Sequence, residues 1–243
     1  MTNKNFKTIG LLGGMSAVAT GEYYQRINQL VNQKMGGHHI AELIICSVNF
    51  ALIETYIKES DWEGSAHYLA EKAQRLEAAG VSCVFLGTNT MHRVRETIKT
   101  HINVPFIDIF KTVARAIKQE GKSKVGILGT LPVMTDAFYV DAYRQEGIEI
   151  IAPNAVQKKE IDRIIFEELT HHQLHQESKA FYISTMHDLM RQGAEGIILG
   201  CTEIKMLVQS SDVPDIPLFD SLELHCALAS AIAVGEIPPT VFD

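Results

Sequence analysis

A thiol placed where a buried strand hands over to a helix is a candidate acid or base, and this sequence has one at Cys201. It follows Ile197-Ile198-Leu199-Gly200 and precedes Thr202-Glu203, and the residues up to Val208 read as a helix. Backbone N–H groups at a helix start lack intrahelical partners. Such groups hold anions and lower a thiol's pKa. The same grammar occurs once earlier, at Val84-Phe85-Leu86-Gly87-Thr88-Asn89-Thr90. On position alone, a structural and a functional reading of Cys201 are evenly matched, because cysteine is among the most buried residue types. Cys46 and Cys83 lie inside strands and fit the structural reading. A thiolate in a water-poor cleft, beside a bound carboxylate, is a base able to take a proton from the neighbouring carbon. Amide donors would hold that carboxylate while charge builds on it. A second group supplying a proton from the opposite side would interconvert the carbon's mirror forms.

The elements that must position these turns repeat along the chain. Thr8 to Leu12 reads as a buried strand ending at Gly13-Gly14, followed by a helix from about Val18 to Lys34 that stops near Gly36-Gly37. Strands follow at Glu42 to Ser47, Val81 to Leu86 and Pro105 to Ile107. Helices follow at Trp62 to Ala79, closed by Gly80, and at Ile109 to Gln119. Then the order restarts. Lys124-Val125-Gly126-Ile127-Leu128-Gly129 echoes Thr8 to Gly13, with Gly126 lying 116 residues beyond Gly10. Thr135, Phe138 and Tyr139 echo Thr20, Tyr23 and Tyr24, 115 residues on. Cys201 lies 113 residues after Thr88, and Pro217 lies 112 after Pro105. Four echoes in one order imply an α/β fold of two pseudo-symmetric, Rossmann-like lobes, each a small parallel sheet flanked by helices. Right-handed crossovers put the strands' C-terminal ends on one edge, where ligands bind. The expected site is a cleft between the lobes. The expected division is 1–115 plus 213–243 for the N-terminal lobe and 116–212 for the C-terminal lobe, with the helix from Leu222 to Val234 returning to the first.

Composition narrows the functions. The chain has 243 residues, a net charge of −7 and no basic run. Nucleic acid and anionic membranes are therefore not expected partners. The first residues carry no apolar signal core, and no segment approaches 18 apolar residues, so a cytoplasmic protein is expected. The four cysteines show no C-x-x-C spacing and are expected as free thiols.

Each supporting residue has a bland role beside the interesting one. Asn89, Thr90 and Thr202 stand at helix starts, where N-capping is worth about 1 kcal/mol and is compatible with substrate binding. Met15 and Ser16 follow Gly13-Gly14, whose small size lets a ligand approach the backbone. That spacing is not G-x-G-x-x-G, so no dinucleotide site is expected. Thr130, after Gly129, is the equivalent turn in the second half and a candidate carboxylate donor. Lys159 and Arg163 read as solvated charge in preference to a substrate cation. His171, His172 and His175 include an i, i+4 pair, but no H-E-x-x-H surrounds it, and no metal is assigned. His92 either helps bind substrate or caps its turn. Glu203 either orients a partner or merely suits a helix's first turn.

Together, Leu199-Gly200-Cys201-Thr202-Glu203, Gly87-Thr88-Asn89-Thr90-Met91-His92 and Leu11-Leu12-Gly13-Gly14-Met15-Ser16 resemble the cofactor-independent aspartate/glutamate racemase family. The resemblance covers nearly the whole chain, includes Ser47-Val48-Asn49-Phe50 and Ile164 to Leu169, and is nearest to the broad-specificity branch. The Gly-Cys-Thr-Glu block is the specific signature. What the resemblance implies is one catalytic cysteine per half, no pyridoxal phosphate, a small amino-acid or dicarboxylic-acid substrate and a homodimer. Cys201 matches the second cysteine. At the first, the usual Cys-Asn-Thr reads Thr88-Asn89-Thr90, and the variant Cys-x-Asn-Thr would put Gly87 there. An alcohol is a far poorer base than a thiol of pKa about 8.5. Three outcomes follow from that departure. The first is a racemase that favours one enantiomer as substrate, with Cys201 and Thr88 catalytic and Met15, Ser16, Asn89, Thr90, Thr130 and Thr202 binding substrate. The second is a one-cysteine decarboxylase or isomerase of small dicarboxylic acids. The third is a non-catalytic acid-binding protein. The racemase pattern of Asn89 to His92 and Thr202-Glu203 favours the first.

Overall fold

The structure is a computed structural model and describes residues 6–242. The chain runs β1 (Ile9–Gly13), α1 (Ala17–Met35), β2 (Leu43–Ser47), α2 (Phe50–Glu59), α3 (Trp62–Ala78), β3 (Cys83–Leu86), α4 (Arg95–Thr100), β4 (Phe106–Ile107) and α5 (Ile109–Gln119). It continues β5 (Lys124–Leu128), α6 (Leu131–Thr135), α7 (Ala137–Gln145), β6 (Glu149–Ile151), α8 (Ala155–Glu167), α9 (Gln176–Arg191), β7 (Ile197–Leu199), α10 (Ile204–Leu207), β8 (Leu218–Asp220) and α11 (Ser221–Ala233). Short 3₁₀ turns cover Thr90–Val94, Leu169–His171 and Ser210–Asp212.

The strands form two four-stranded sheets with the orders β2-β1-β3-β4 and β6-β5-β7-β8, and every pairing is parallel. The expected α/β architecture of two matching halves is therefore present. In each sheet the strand carrying the repeated glycine, β1 or β5, lies beside the strand that leads into a candidate turn, β3 or β7. Parallel sheets are covered on both faces, which is why these strands are short continuous apolar runs. β1, β3 and β7 are buried at every residue. Leu12, Leu69, Val84, Leu86 and Ile98 centre one core, and Leu128, Ile161, Tyr182, Leu189 and Ile197 centre the other. Among the described residues no helix is long and apolar enough to cross a membrane.

The chain divides into two compact units, Met1–Ile109 with His225–Asp243, and Phe110–Leu224. This differs from the expected lobes at both crossings. Residues 213–224, expected with the first lobe, belong to the second unit because β8 pairs with β7, Phe219 opposite Ile198. Residues 110–115 also belong to the second unit, where the Phe110 ring packs edge-on against Tyr143 at 5.3 Å. The return of the last helix to the first unit begins only at His225. There Tyr23 Oη donates to His225 Nδ1 at 2.8 Å, His225 Nε2 donates to the Ile107 carbonyl at 3.1 Å, and the Lys7 N–H donates to the Ala233 carbonyl at 2.9 Å.

The turn after β1 tolerates no side chain. Gly14 has φ +91°, and a Cβ there would overlap the carbonyl oxygen and amide nitrogen of Val48. Strain at such a φ costs about 1–3 kcal/mol and overpacking about as much again. Gly14→Ala is therefore expected to lower unfolding free energy by at least about 2 kcal/mol in urea titration. An unchanged midpoint would show that this turn is not confined as described.

Candidate active site

In the first unit, neighbouring strands β1 and β3 end in neighbouring turns, tied by the Gly87 N–H donating to the Leu12 carbonyl at 2.9 Å. Met15 and Ser16 leave β1, and Thr88, Asn89 and Thr90 leave β3. Met15 is buried in the apolar core. Ser16 is the N-cap of α1, its Oγ accepting from the Ala19 N–H at 3.2 Å while its carbonyl accepts from Thr20 Oγ1 at 2.7 Å. Thr20 Oγ1 in turn accepts from the Gly14 N–H at 2.8 Å. Thr88 is half-buried, and its hydroxyl makes no hydrogen bond to another described residue. Its carbonyl accepts from His92 Nδ1 at 2.6 Å. Asn89 precedes a 3₁₀ turn without capping it, so the capping explanation for that side chain is not realised.

In the second unit, β5 and β7 place Thr130 and Cys201 in neighbouring turns, joined by the Gly200 N–H donating to the Leu128 carbonyl at 2.7 Å. Thr130 starts α6 without a side-chain cap. The adjacent Leu131 N–H is already taken by Asp162 Oδ1 of α8 at 2.5 Å. A carboxylate of the protein thus occupies the anion position of that turn. Cys201 Sγ donates to Glu203 Oε2 at 3.0 Å, and Thr202 Oγ1 donates to the same oxygen at 2.6 Å. One carboxylate oxygen therefore holds both side chains that precede it.

This arrangement corrects the electrostatics expected for Cys201. The residue keeps some exposed surface, but its thiol lies deep, and burial pushes its pKa well above the ordinary thiol value. The charge of Glu203, the bond to it and the charge of Asp162 push the same way, while only the Glu203 N–H opposes them. The helix expected to run to Val208 is four residues long and begins at Ile204, after a turn spanning Cys201 to Glu203. Too few peptide dipoles align behind the sulfur to outweigh a full charge at 3.0 Å. The resting group is a neutral thiol, a proton donor, with its acceptor beside it.

Other candidates are bound up elsewhere. Arg163 is held by Glu160 and Glu168 at 2.7 Å each and by Glu167 at 3.4 Å, which raises its pKa and makes it part of a partly buried ion-pair network. Lys159 is exposed. His171 ends a 3₁₀ turn and His175 precedes α9, so their spacing does not fall on a helix. Among the described residues no cluster of three His, Cys, Asp or Glu is placed to hold a metal. Cys83 is buried in β3, its thiol pushed up to about 12.

Two residues that the sequence left undecided have defined places. Glu203 is the acceptor for Cys201. His92 is fully buried, as is His225, and their ring centroids lie 6.1 Å apart. Burial drives their pKa values down to about 4 and about 3. The i, i+4 spacing of Thr88 and His92 was the available signal for the bond between His92 and the Thr88 carbonyl.

Two matched parallel sheets, each ending in a glycine turn with small hydroxylic or thiol side chains, define a class that the comparisons specify. The Asp/Glu/Hydantoin racemase family model matches residues 12–229, and the chain belongs to that family. Among solved structures, a Yersinia pestis protein provisionally named an Asp/Glu racemase is 38% identical, covers 94% of this chain and 99% of its own, and has a TM-score of 0.90. An aspartate racemase homologue from Pyrococcus horikoshii OT3 is 35% identical with a TM-score of 0.85, over 93% of this chain and 99% of its own. The broad specificity amino-acid racemase RacX of Bacillus subtilis is 24% identical over 88% of this chain and 92% of its own.

Two measurements check the electrostatics. Removing the carboxylate charge in Glu203→Gln should lower the Cys201 pKa, read as thiolate absorbance or alkylation rate against pH. A value unchanged or raised would contradict the pairing. For His92 and His225 the folded pKa values lie below the unfolded value of about 6.5. Both are neutral in both states above pH 6.5. Below it the unfolded chain binds protons that the folded chain refuses, so stability falls as pH drops from about 6.5 towards 4. The urea midpoint should therefore decline between pH 7 and pH 5, and a flat midpoint would contradict it.

Proposed function

We propose that the protein is a pyridoxal-phosphate-independent racemase of amino acids, acting on aspartate or glutamate and extending to others, with Cys201 and Thr88 as its two proton-exchanging groups. The observation that carries this reading is the Cys201 thiol bonded to Glu203 at 3.0 Å, at the end of a buried parallel strand and in the position of the family's second cysteine. In one direction Glu203 accepts the thiol proton and the thiolate takes the α-proton. The carbanion then receives a proton on its other face from Thr88, directly or through water, and Thr88 regains a proton from solvent as Glu203 releases one. In the other direction Thr88, its own proton passed to water, takes the α-proton, the neutral thiol donates to the carbanion, and the thiolate regains a proton from solvent by way of Glu203. Asn89, Thr90, Thr130 and Thr202 hold the substrate's polar groups, while Met15 and Ser16 shape the approach. Each well-placed donor to the α-carboxylate is worth roughly 10²–10³ in rate. A homodimer in the cytoplasm belongs to the same reading.

Thr88 in place of a thiol makes the two faces unequal. Mirror forms have equal free energy, so kcat/KM must be the same for both enantiomers. The inequality therefore falls on kcat and KM taken separately, and on which enantiomer exchanges its α-proton before it inverts.

Each enantiomer incubated in D₂O with wild-type protein should acquire α-deuterium. Cys201→Ser should lower that exchange at least about 10²-fold, the usual worth of a positioned acid or base. Equal exchange in both proteins would remove Cys201 from the reaction. CO₂ release from malonate-type acids without racemisation would select a cofactor-free decarboxylase instead.

A further inference from the structure

The racemase reading above uses the Thr88 side chain but says nothing about what holds its backbone. The carbonyl of Thr88 is bonded by a side chain, His92 Nδ1 at 2.6 Å. The other ring nitrogen, Nε2, accepts the N–H of Ile109 at 3.2 Å. An imidazole nitrogen that accepts an N–H carries no proton, so the proton of the neutral ring lies on Nδ1 and is donated to Thr88. The ring is fully buried, with the Phe106 ring edge-on at 5.6 Å, so it has no room to turn. In the second unit the residue equivalent to His92 is Lys205. It is only partly buried and reaches Asp220 at 4.0 Å, while the Cys201 carbonyl accepts a backbone N–H from Ile204 at 3.3 Å. A histidine bridge is thus built into the turn that bears the weaker acid and not into the turn that bears the thiol.

We propose that His92 is a positioning residue for Thr88: its Nδ1–H···O=C bond sets the Thr88 backbone, and with it the direction of the Cα–Cβ bond that carries the hydroxyl. The inference rests on the reading that Thr88 serves one face of the substrate carbon. An alcohol is a poor proton carrier, so it depends more than a thiol on arriving at the right distance. Misplacement by about 1 Å costs on the order of 10²-fold in rate.

Two substitutions separate the two ring nitrogens. In His92→Asn the side-chain amide sits near the Nδ1 position and still donates to Thr88 but loses Ile109. In His92→Gln it reaches the Nε2 position and still accepts from Ile109 but releases Thr88. In D₂O, for the enantiomer whose α-hydrogen faces Cys201, His92→Gln should raise the ratio of deuterium incorporated with retention to deuterium incorporated with inversion by at least about tenfold, because only the Thr88 face is disturbed. Its kcat should fall about 10- to 100-fold with little change in KM. His92→Asn should keep the wild-type ratio even where its melting temperature is lower. A ratio unchanged in His92→Gln, or losses that follow melting temperature in both variants, would overturn the proposal. The Thr88 carbonyl ¹³C shift provides a readout that needs no turnover. It should move in His92→Gln and stay near wild type in His92→Asn, and the reverse would overturn the assignment. A wild-type protein that exchanges no α-proton at all would defeat the racemase reading, and the carbon shift would still judge the contact.

Discussion

A parallel strand cannot be joined to its neighbour by a tight hairpin, and this one constraint arranges the chemistry of the molecule. Each strand must hand its C-terminal end to a crossover, so the ends collect along one edge of each sheet. The sheet's apolar faces are covered, while that edge exposes backbone N–H groups and whatever side chains begin the crossover. Thr88 follows β3, Cys201 follows β7, and Ser16 and Thr130 follow the central strands beside them. Glycine at the strand ends keeps the turns close enough for the ladder to continue into them, as the Gly87 and Gly200 amides do.

The same scaffold supports two different electrostatic solutions. In the second unit, two carboxylates act on the Cys201 thiol: Glu203 bonds it directly and Asp162 adds its charge. The result is a thiol kept protonated, with a base in contact. In the first unit the two buried rings are themselves neutral, although the buried Asp108–Arg95 pair at 2.9 Å and Lys99 act on His92. His92 and His225 are held uncharged by burial, His92 between the Thr88 carbonyl and the Ile109 N–H, and His225 between the Tyr23 hydroxyl and the Ile107 carbonyl. Neutral rings of fixed tautomer fasten a backbone without adding a charge of their own.

How much of this could be read beforehand depends on the range of the interaction. The repeat was legible because buried parallel strands are short apolar runs that stop at glycine, and two such runs keep a nearly constant offset. The family was legible in Gly200-Cys201-Thr202-Glu203. The lobe boundary was misplaced although the echo of Pro105 at Pro217 already implied that β8 repeats β4. The returning helix drew residues 213–224 into the wrong unit, since strand pairing is a long-range choice that sequence order does not display. The sign of the Cys201 shift was also misread. Open N–H groups at a helix start favour a thiolate, but the helix is a single turn, so the nearby carboxylate decides. For His92, the spacing to Thr88 was visible, but the bond from Ile109 that settles its tautomer joins residues 17 positions apart.

The hydrogen bond between Cys201 and Glu203 also bears on how such a protein endures. Peroxides and alkylating agents attack sulfur only as the anion. A site that kept its thiolate permanently formed would be a standing target for every oxidant that diffused in. Here the sulfur is capped by its own proton, and a carboxylate on the same turn accepts that proton's hydrogen bond. While that contact keeps the proton on sulfur, the thiol is shielded from such agents.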